Sequence, residues 1–553
     1  MEIKDKKEKK HCLTIFLLKE QYKKLDDVVI PDGVIKEFDA LDNKAKAFLY
    51  KNNDRKPAWV NTFSDIFDCS NINNLIHALI IYIEIDDRIF VITTSFGHTK
   101  IRKEYIVNDF GLKVVLNKID KKSLRSIDVR KLTLSSHQRR EVSSSNSSLE
   151  SFDFNSNEDF LKAISGKLDD DFAASLSGSD SLNVVKRFNI KEIQDFCREL
   201  LILYEKNDYK TKGYDFIDNL KKVYNSETYL KTREAVVEAI NKRDSSEIIL
   251  AYPEIEEYNF CNYRISFNSK KEYLDDINII KFFKFLDNNG IDKLTEDNLK
   301  NIKIELLDED GDIYKNPKVK RSYSLLDYLV FELDDDGSKY IYISGQLYLI
   351  DKDYYLGLCE FLKEYENNEL SVELPEIKYK MVINKKGKNV LKVEEEKYYN
   401  KRIENKYVGN VICFDRHLFR TKFDGKKSEV EICDILTENK EFICIKIYKN
   451  SSAALSHLFF QGSVSAELLA ELKEYKKEII KEAKEKFKIK LDNRPEIKFV
   501  FAIAVKNSGY VFENLPIFSK ISLRKAIFDI AKMGFAVQVT KINFETEEDS
   551  AIL

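Results

Sequence analysis

Asp434 and Lys446 interrupt two otherwise apolar runs in "EVEICDILTENKEFICIKIYK" (429–449), which reads as a hairpin closed by a short polar turn. A charged side chain among apolar strand residues costs several kcal/mol unless it is paired, exposed or put to use. Side chains alternate along a strand, so Phe442, Cys444, Lys446 and Tyr448 share one face and Ile443, Ile445 and Ile447 the other, the isoleucine face being the one expected to be buried. A turn centred on Asn439 sets Asp434 opposite Cys444 and puts Lys446 one diagonal step away, within reach of a long side chain. A slip of one residue would separate them. Two outcomes are open to such a pair: a cross-strand ion pair on a solvated face, or a site where carboxylate and ammonium act together on a ligand. Glu429 and Glu431 fall by parity on the face away from Asp434.

Beside this hairpin, "FDRHLFRTKFDGKK" (414–427) supplies Arg416, His417, Arg420, Lys422, Lys426 and Lys427, with Phe419 and Phe423 interleaved. Cations that meet backbone phosphate and rings on which bases stack form one use of such a mixture, and a solvated loop is the other. His98 in "SFGHTK" lies in a Gly-containing loop with Lys100, which reads as an anion-receiving loop or as a plain structural turn. The chain has no Walker A sequence, no G-x-S-x-G and no dinucleotide fingerprint, which argues against phosphate-driven motors, α/β hydrolases and Rossmann enzymes.

The elements that must position these residues follow from length and patterning. A chain of 553 residues implies two to four units. An N-terminal β-rich α+β domain is expected over 1–135, a Ser-rich loop or linker over 136–158, a middle α+β region with a helical subdomain over 159–375, and a C-terminal domain over 376–553. In the last, a charged helix "EEEKYYNKRIENK" precedes the strand "VGNVICFD" and the hairpin. A short helix "SSAALSHLFFQ" ending at Gly462, a long amphipathic helix from Ser465, a strand, a helix and a final strand complete the order αβββαβαβ.

The eight cysteines form no C-x-x-C pair, so neither a zinc ribbon nor a disulfide framework is indicated and they read as reduced thiols. With 91 Lys plus Arg against 94 Asp plus Glu, net charge neither supports nor excludes a nucleic-acid partner. The N-terminal apolar run "CLTIFLL" is too short for a signal peptide and no run reaches membrane-spanning length, so a cytoplasmic location with no membrane partner is expected.

An Asp on one strand and a Lys on the next, inside a helix, three-strand, helix, strand frame, resembles the restriction-endonuclease-like core written PD-(D/E)xK. The resemblance implies an α+β and α/β multidomain chain whose C-terminal domain binds and cleaves nucleic acid. Asp434 would hold a divalent metal, Mg²⁺ or Mn²⁺, and Lys446 would assist the attacking water or the phosphate. Glu396 on the preceding helix and Gln461 on the following one would complete the shell, with His457 a turn before Gln461. Where that pattern carries an acid this chain has Cys444, and a thiolate prefers softer metals.

Six segments, "TTSFGHTKIRKEYIVNDFGLKVVLNKIDKKSLRSIDVRKL" (93–132), "AISGKLDDDFAASLSGSDSL" (163–182), "SYSLLDYLVFELDDDGSKYIYISGQLYLID" (322–351), "VEICDIL" (430–436), "SSAALSHLFFQGSVSAELL" (451–469) and "LPIFSKISLRKA" (515–526), together resemble a sporadically distributed, uncharacterised family of bacterial proteins of about this length. That likeness implies carriage on mobile elements and a role in conflict with phage or other foreign DNA, hence DNA before RNA as partner, with room for a partner protein. It also implies that His usually stands at the position of Cys444, so Asp434, Cys444 and His457 would suit Zn²⁺ if the thiol is a ligand. The alternative is a non-catalytic module of an anti-phage system that docks nucleic acid or protein through the same surface.

Overall fold

The computed structural model describes residues 10–30, 32–41, 44–51, 75–131, 138–156, 158–168, 171–187, 192–223, 226–244, 248–250, 262–274, 277–307, 319–343, 345–383, 389–414, 418–423, 426–448 and 452–545. The chain is mixed α/β and divides into two compact units, one of residues 1–130 and 138–224, the other of 131–137 and 225–553.

The first unit is built on a ten-stranded sheet. Its hairpin His77–Ile85 and Arg88–Thr93 turns at Asp86 and Asp87, both at positive φ (45° and 58°), as the acidic pair between two β-branched runs predicts. Ile83, Ile85 and Phe90 feed one core while Ile80, Tyr82 and Val91 feed another, so both faces of this part of the sheet are covered. The helix Phe110–Lys118 lies directly on the strand Ser175–Gly178. A Cβ at Gly111 would stand 1.9 Å from the Ser181 carbonyl oxygen, and one at Gly178 would stand 2.0 Å from that of Gly111. Only glycine admits that approach.

The Ser-rich stretch expected as a linker over 136–158 is instead largely structured: Gln138–Ser147 is an edge strand paired antiparallel to Leu124–Lys131. An edge strand satisfies its backbone on one side and leaves polar side chains in water, which suits serine. Arg139 bonds Asp159 at 2.8 Å and Arg140 bonds Asp128 at 2.6 Å, tying the strand down. The sheet then takes in strands as far as Arg187, so the boundary falls near 224 and not at 135 or 159.

In its first half the second unit carries the strands Ile248–Leu250, Leu329–Asp335, Ser338–Ile343 and Gln346–Ile350 of one sheet, and a separate four-stranded sheet. The hairpin Leu329–Asp335 and Ser338–Ile343 turns at Asp336 (φ 49°) and Gly337 (φ 78°), the turn expected from D-D-G-S. The helix Lys352–Tyr365 follows, capped by the Asp351 carboxylate on the Asp353 and Tyr354 N–H groups.

The C-terminal sheet contains strands β1 (Val411–Cys413), β2 (Ile435–Thr437), β3 (Glu441–Ile447), β4 (Lys498–Ala504) and β5 (Ala536–Ile542), side by side in that order. The first three are antiparallel and β3, β4 and β5 are parallel. Helix α1 (Glu396–Lys406) packs Tyr399 and Ile403 on the isoleucine face of β3, while α2 (Ser452–Glu471) lies along the other face, where Phe459 meets Phe501 edge-on at 5.4 Å. The sequence reading buries only the isoleucine face; Phe442 and Cys444 on the opposite face are buried as well. A parallel strand inside such a sheet is covered on both sides by its crossover helices.

Two local expectations are corrected. Gly462 does not end a short helix: α2 runs 20 residues through it, and a Cβ there would meet the Phe501 ring at 2.6 Å. The break falls at Leu472, before α3 (Lys473–Ala483). Leu469, Tyr475 and Ile479 stay buried across that break. A further hairpin, Leu418–Phe423 with Lys426–Glu431, is inserted between β1 and β2 and anchored by Phe419 against Tyr475, ring centroids 4.8 Å apart. Helix α4 (Ile517–Lys532) links β4 to β5 and packs against α2.

Candidate functional site

The pairing Ile435 with Ile443 places Asp434 opposite Cys444, the register deduced from a turn at Asn439. Asp434 lies just before β2, where the chain bends. It is 8% exposed, and its carboxylate is held on both oxygens: the Asn400 Nδ2 donates to Oδ1 at 3.0 Å and the Ile445 N–H donates to Oδ2 at 2.7 Å. The Asp434 N–H donates to the Ile443 carbonyl at 3.0 Å. A carboxylate fixed in this way is a placed group.

Lys446 is the second-last residue of β3. Its Nζ donates to Glu396 Oε2 at 2.8 Å, and the Ile447 N–H donates to Glu396 Oε1 at 3.0 Å. Glu396 is the first residue of α1, where a carboxylate meets the positive end of the helix. Asn400 follows one turn later on the same side of the helix, so α1 sets Glu396 against Lys446 and Asn400 against Asp434.

These groups open on a pocket of about 330 Å³ at the carboxyl end of β3, lined by Glu396, Glu431, Asp434, Lys446, His457 and Gln461 among others. His457 and Gln461 come from α2, one turn apart; His457 is exposed and Gln461 is 8% exposed. Gln461 lines the polar cavity, and its Nε2 is buried without a hydrogen-bond partner among the described residues, a donor left unsatisfied at the edge of the site.

Four residues chosen from sequence as one site, Asp434, Lys446, Glu396 and Gln461, therefore do converge, and His457 joins them. Cys444 does not. It is 1% exposed, off the pocket wall, and burial, with the charges of Asp434 and Glu431, pushes its thiol well above the ordinary value and keeps it protonated. Glu431, excluded by parity, lies on the wall. Parity fails because Ile432 and Cys433 are both fully buried, so regular alternation stops between the inserted hairpin and β2. Asn400 was missed outright, although its four-residue spacing from Glu396 on a predicted helix was the available signal. Arg416 and His417 lie outside the described residues. The backbone of Arg420 and Lys422 belongs to the inserted hairpin, paired with Glu429 and Lys427.

Beside the imidazole of His457, the wall offers the carboxylate oxygens of Glu396, Glu431 and Asp434, which suit a hard divalent cation better than a soft one. Among the described residues no three His, Cys, Asp or Glu groups stand close enough to hold an ion together. A cation here would take Glu396 and Asp434 from the protein and its other oxygens from water and phosphate, the usual manner for Mg²⁺. Among the described residues no helix is long and apolar enough to cross a membrane.

Residues 13–543 match the model of a family described as of unknown function, DUF6119. No curated protein matches the chain.

Proposed function

The chain belongs to the DUF6119 family of unknown function, and from that premise we propose that its C-terminal sheet carries a restriction-endonuclease-like site that binds and cleaves the phosphodiester backbone of nucleic acid, DNA before RNA. The observation that carries the reading is the convergence of Glu396, Asp434, Lys446 and the unpartnered Gln461 amide on one pocket at the end of β3. The order α1, three antiparallel strands, α2 and a parallel strand supports it further.

Each group has a role that its placement suits. A divalent cation, when bound by Glu396 and Asp434, supplies charge for the phosphate and lowers the pKa of a bound water. Asn400 and the Ile445 N–H hold the Asp434 carboxylate in one orientation. Lys446 would exchange its contact with Glu396 for a phosphate oxygen, and Gln461 would donate to a second oxygen of the same group. The inserted hairpin, with its basic residues, would track the backbone of the strand being cut. Conflict with foreign DNA is the biological setting that the sequence resemblance implies.

The test is cleavage of single- and double-stranded DNA and RNA by the wild-type chain and Lys446→Ala, with Mg²⁺, Mn²⁺, Zn²⁺ or a chelator. Metal-dependent cutting that disappears in the variant bears the reading out. Binding of nucleic acid that survives both chelation and the variant, with no cutting under any condition, replaces it with a non-catalytic docking module.

A further inference from the structure

The second unit holds another cavity, larger than the one beside Lys446, at about 530 Å³. Its wall is formed by the strand Leu329–Asp335, its partner Ser338–Ile343, the helix Lys352–Tyr365 and the start of α4. Lys520 of α4 faces it and is 3% exposed. Its Nζ donates to Tyr355 Oη at 2.8 Å and stands 4.8 Å from the centre of that ring. Among the described residues it has no carboxylate within ion-pair distance. A buried ammonium whose nearest carboxylates, Glu332 and Asp334, act on it only from beyond ion-pair distance is costly.

The acids on the same wall are already engaged. Glu332 accepts the Ile517 and Phe518 N–H groups at 2.6 and 2.9 Å, Asp334 is bonded by Lys339, and Glu513 accepts the Tyr510 N–H at 3.0 Å. Lys520 is thus the one wall cation without an acidic partner among the described residues. Tyr355 lies against it, and Tyr340 and Tyr448 line the same cavity. The volume falls in the range of small-molecule sites.

We propose that this cavity binds a small organic anion, with a phosphate or carboxylate head received by Lys520 and a planar body laid against the tyrosines. Binding couples to a proton. Burial lowers the pKa of Lys520; Cys359, Glu332 and Asp334 act against that and Lys339 with it, while Tyr355 bonds the amine directly. An arriving anion favours the ammonium, so the complex takes up a proton wherever free Lys520 is neutral, and affinity falls as pH rises.

Calorimetric titration of the full chain with phenyl phosphate and, separately, with benzoate tests this and tells the two heads apart. Saturable binding of at least one is expected, weakened about tenfold or more in Lys520→Met and unchanged in Lys242→Met, an exposed lysine off the cavity wall. Equal affinity in Lys520→Met, or no saturation by either probe up to about 10 mM, overturns it. Should Lys520→Met fail to fold, amine-selective labelling of the wild-type chain, mapped by mass spectrometry, decides: slower labelling of Lys520 with either probe supports the site, and labelling unaffected by saturating amounts of both removes it.

Discussion

The Lys446 ammonium lies 2.8 Å from the Glu396 carboxylate, joining the end of β3 to the start of α1 across 50 residues of sequence. Both side chains keep a part of their surface in solvent, 26% and 33%, so the pair is worth little to folding. Lys446→Met should therefore cost less than about 1 kcal/mol in urea denaturation. The proposed cleavage, in contrast, should fall by at least about a hundredfold, since among the described residues this ammonium is the strand cation on the pocket wall. A variant that loses stability and activity together would show Lys446 to be structural.

Asp434 answers to a different balance. With 8% exposure and both oxygens accepting, its removal leaves the Asn400 amide and the Ile445 N–H without an acceptor, and Asp434→Ala should cost about 2–4 kcal/mol. Asp434→Asn keeps one acceptor for Ile445 and can meet Asn400 if that amide turns its own Oδ1, now unpartnered, toward it. The Asn variant should stay within about 1 kcal/mol of wild type while losing the proposed metal-dependent cleavage. Thermal denaturation beside the cleavage assay separates charge from packing; equal stability of the Ala and Asn variants would contradict the hydrogen-bond account.

How much of this was legible follows from which features are local. The hairpin register was readable because a polar turn at Asn439 fixes the pairing of its two strands, and Asp434 does face Cys444. Glu396, Gln461 and His457 were found through an order of elements that the sheet retains. Cys444 was misjudged because one strand's alternation does not say that a helix covers each face. Glu431 was lost because two consecutive buried residues, Ile432 and Cys433, break the period that parity assumes. The Ser-rich edge strand was missed for want of an apolar face, since its order comes from the neighbouring strand's backbone and from Arg139 and Arg140. Nothing in sequence spacing could bring Lys520, Tyr355 and Glu332 to one cavity.

Gly462 supplies a test of packing with a definite sign. In an exposed helix, Gly→Ala stabilises by up to about 1 kcal/mol. Here the added methyl would stand 2.6 Å from the Phe501 ring, itself held by Phe459. Gly462→Ala should instead destabilise by about 1–3 kcal/mol, and Phe501→Leu in the same chain should recover part of that loss. Stabilisation by the single substitution would mean that α2 does not approach β4 as closely as described.

Glu332 gives the pH dependence its sign. Burial lifts its carboxyl from 4.5 to about 7, against the Ile517 and Phe518 N–H groups, which favour the charged form. The folded chain therefore holds a proton that the unfolded chain has released between those two values, and its stability declines as pH rises through that window. Below about pH 4.5 the penalty is absent; above about pH 7 it is complete, on the order of 3 kcal/mol. Glu332→Gln keeps an acceptor for the first turn of α4 and removes the titration. Subtracting its urea-denaturation stability from that of wild type at each pH cancels the other groups. The difference should turn against wild type from pH 5 to pH 7 and level off above; a difference independent of pH would mean that Glu332 is charged throughout.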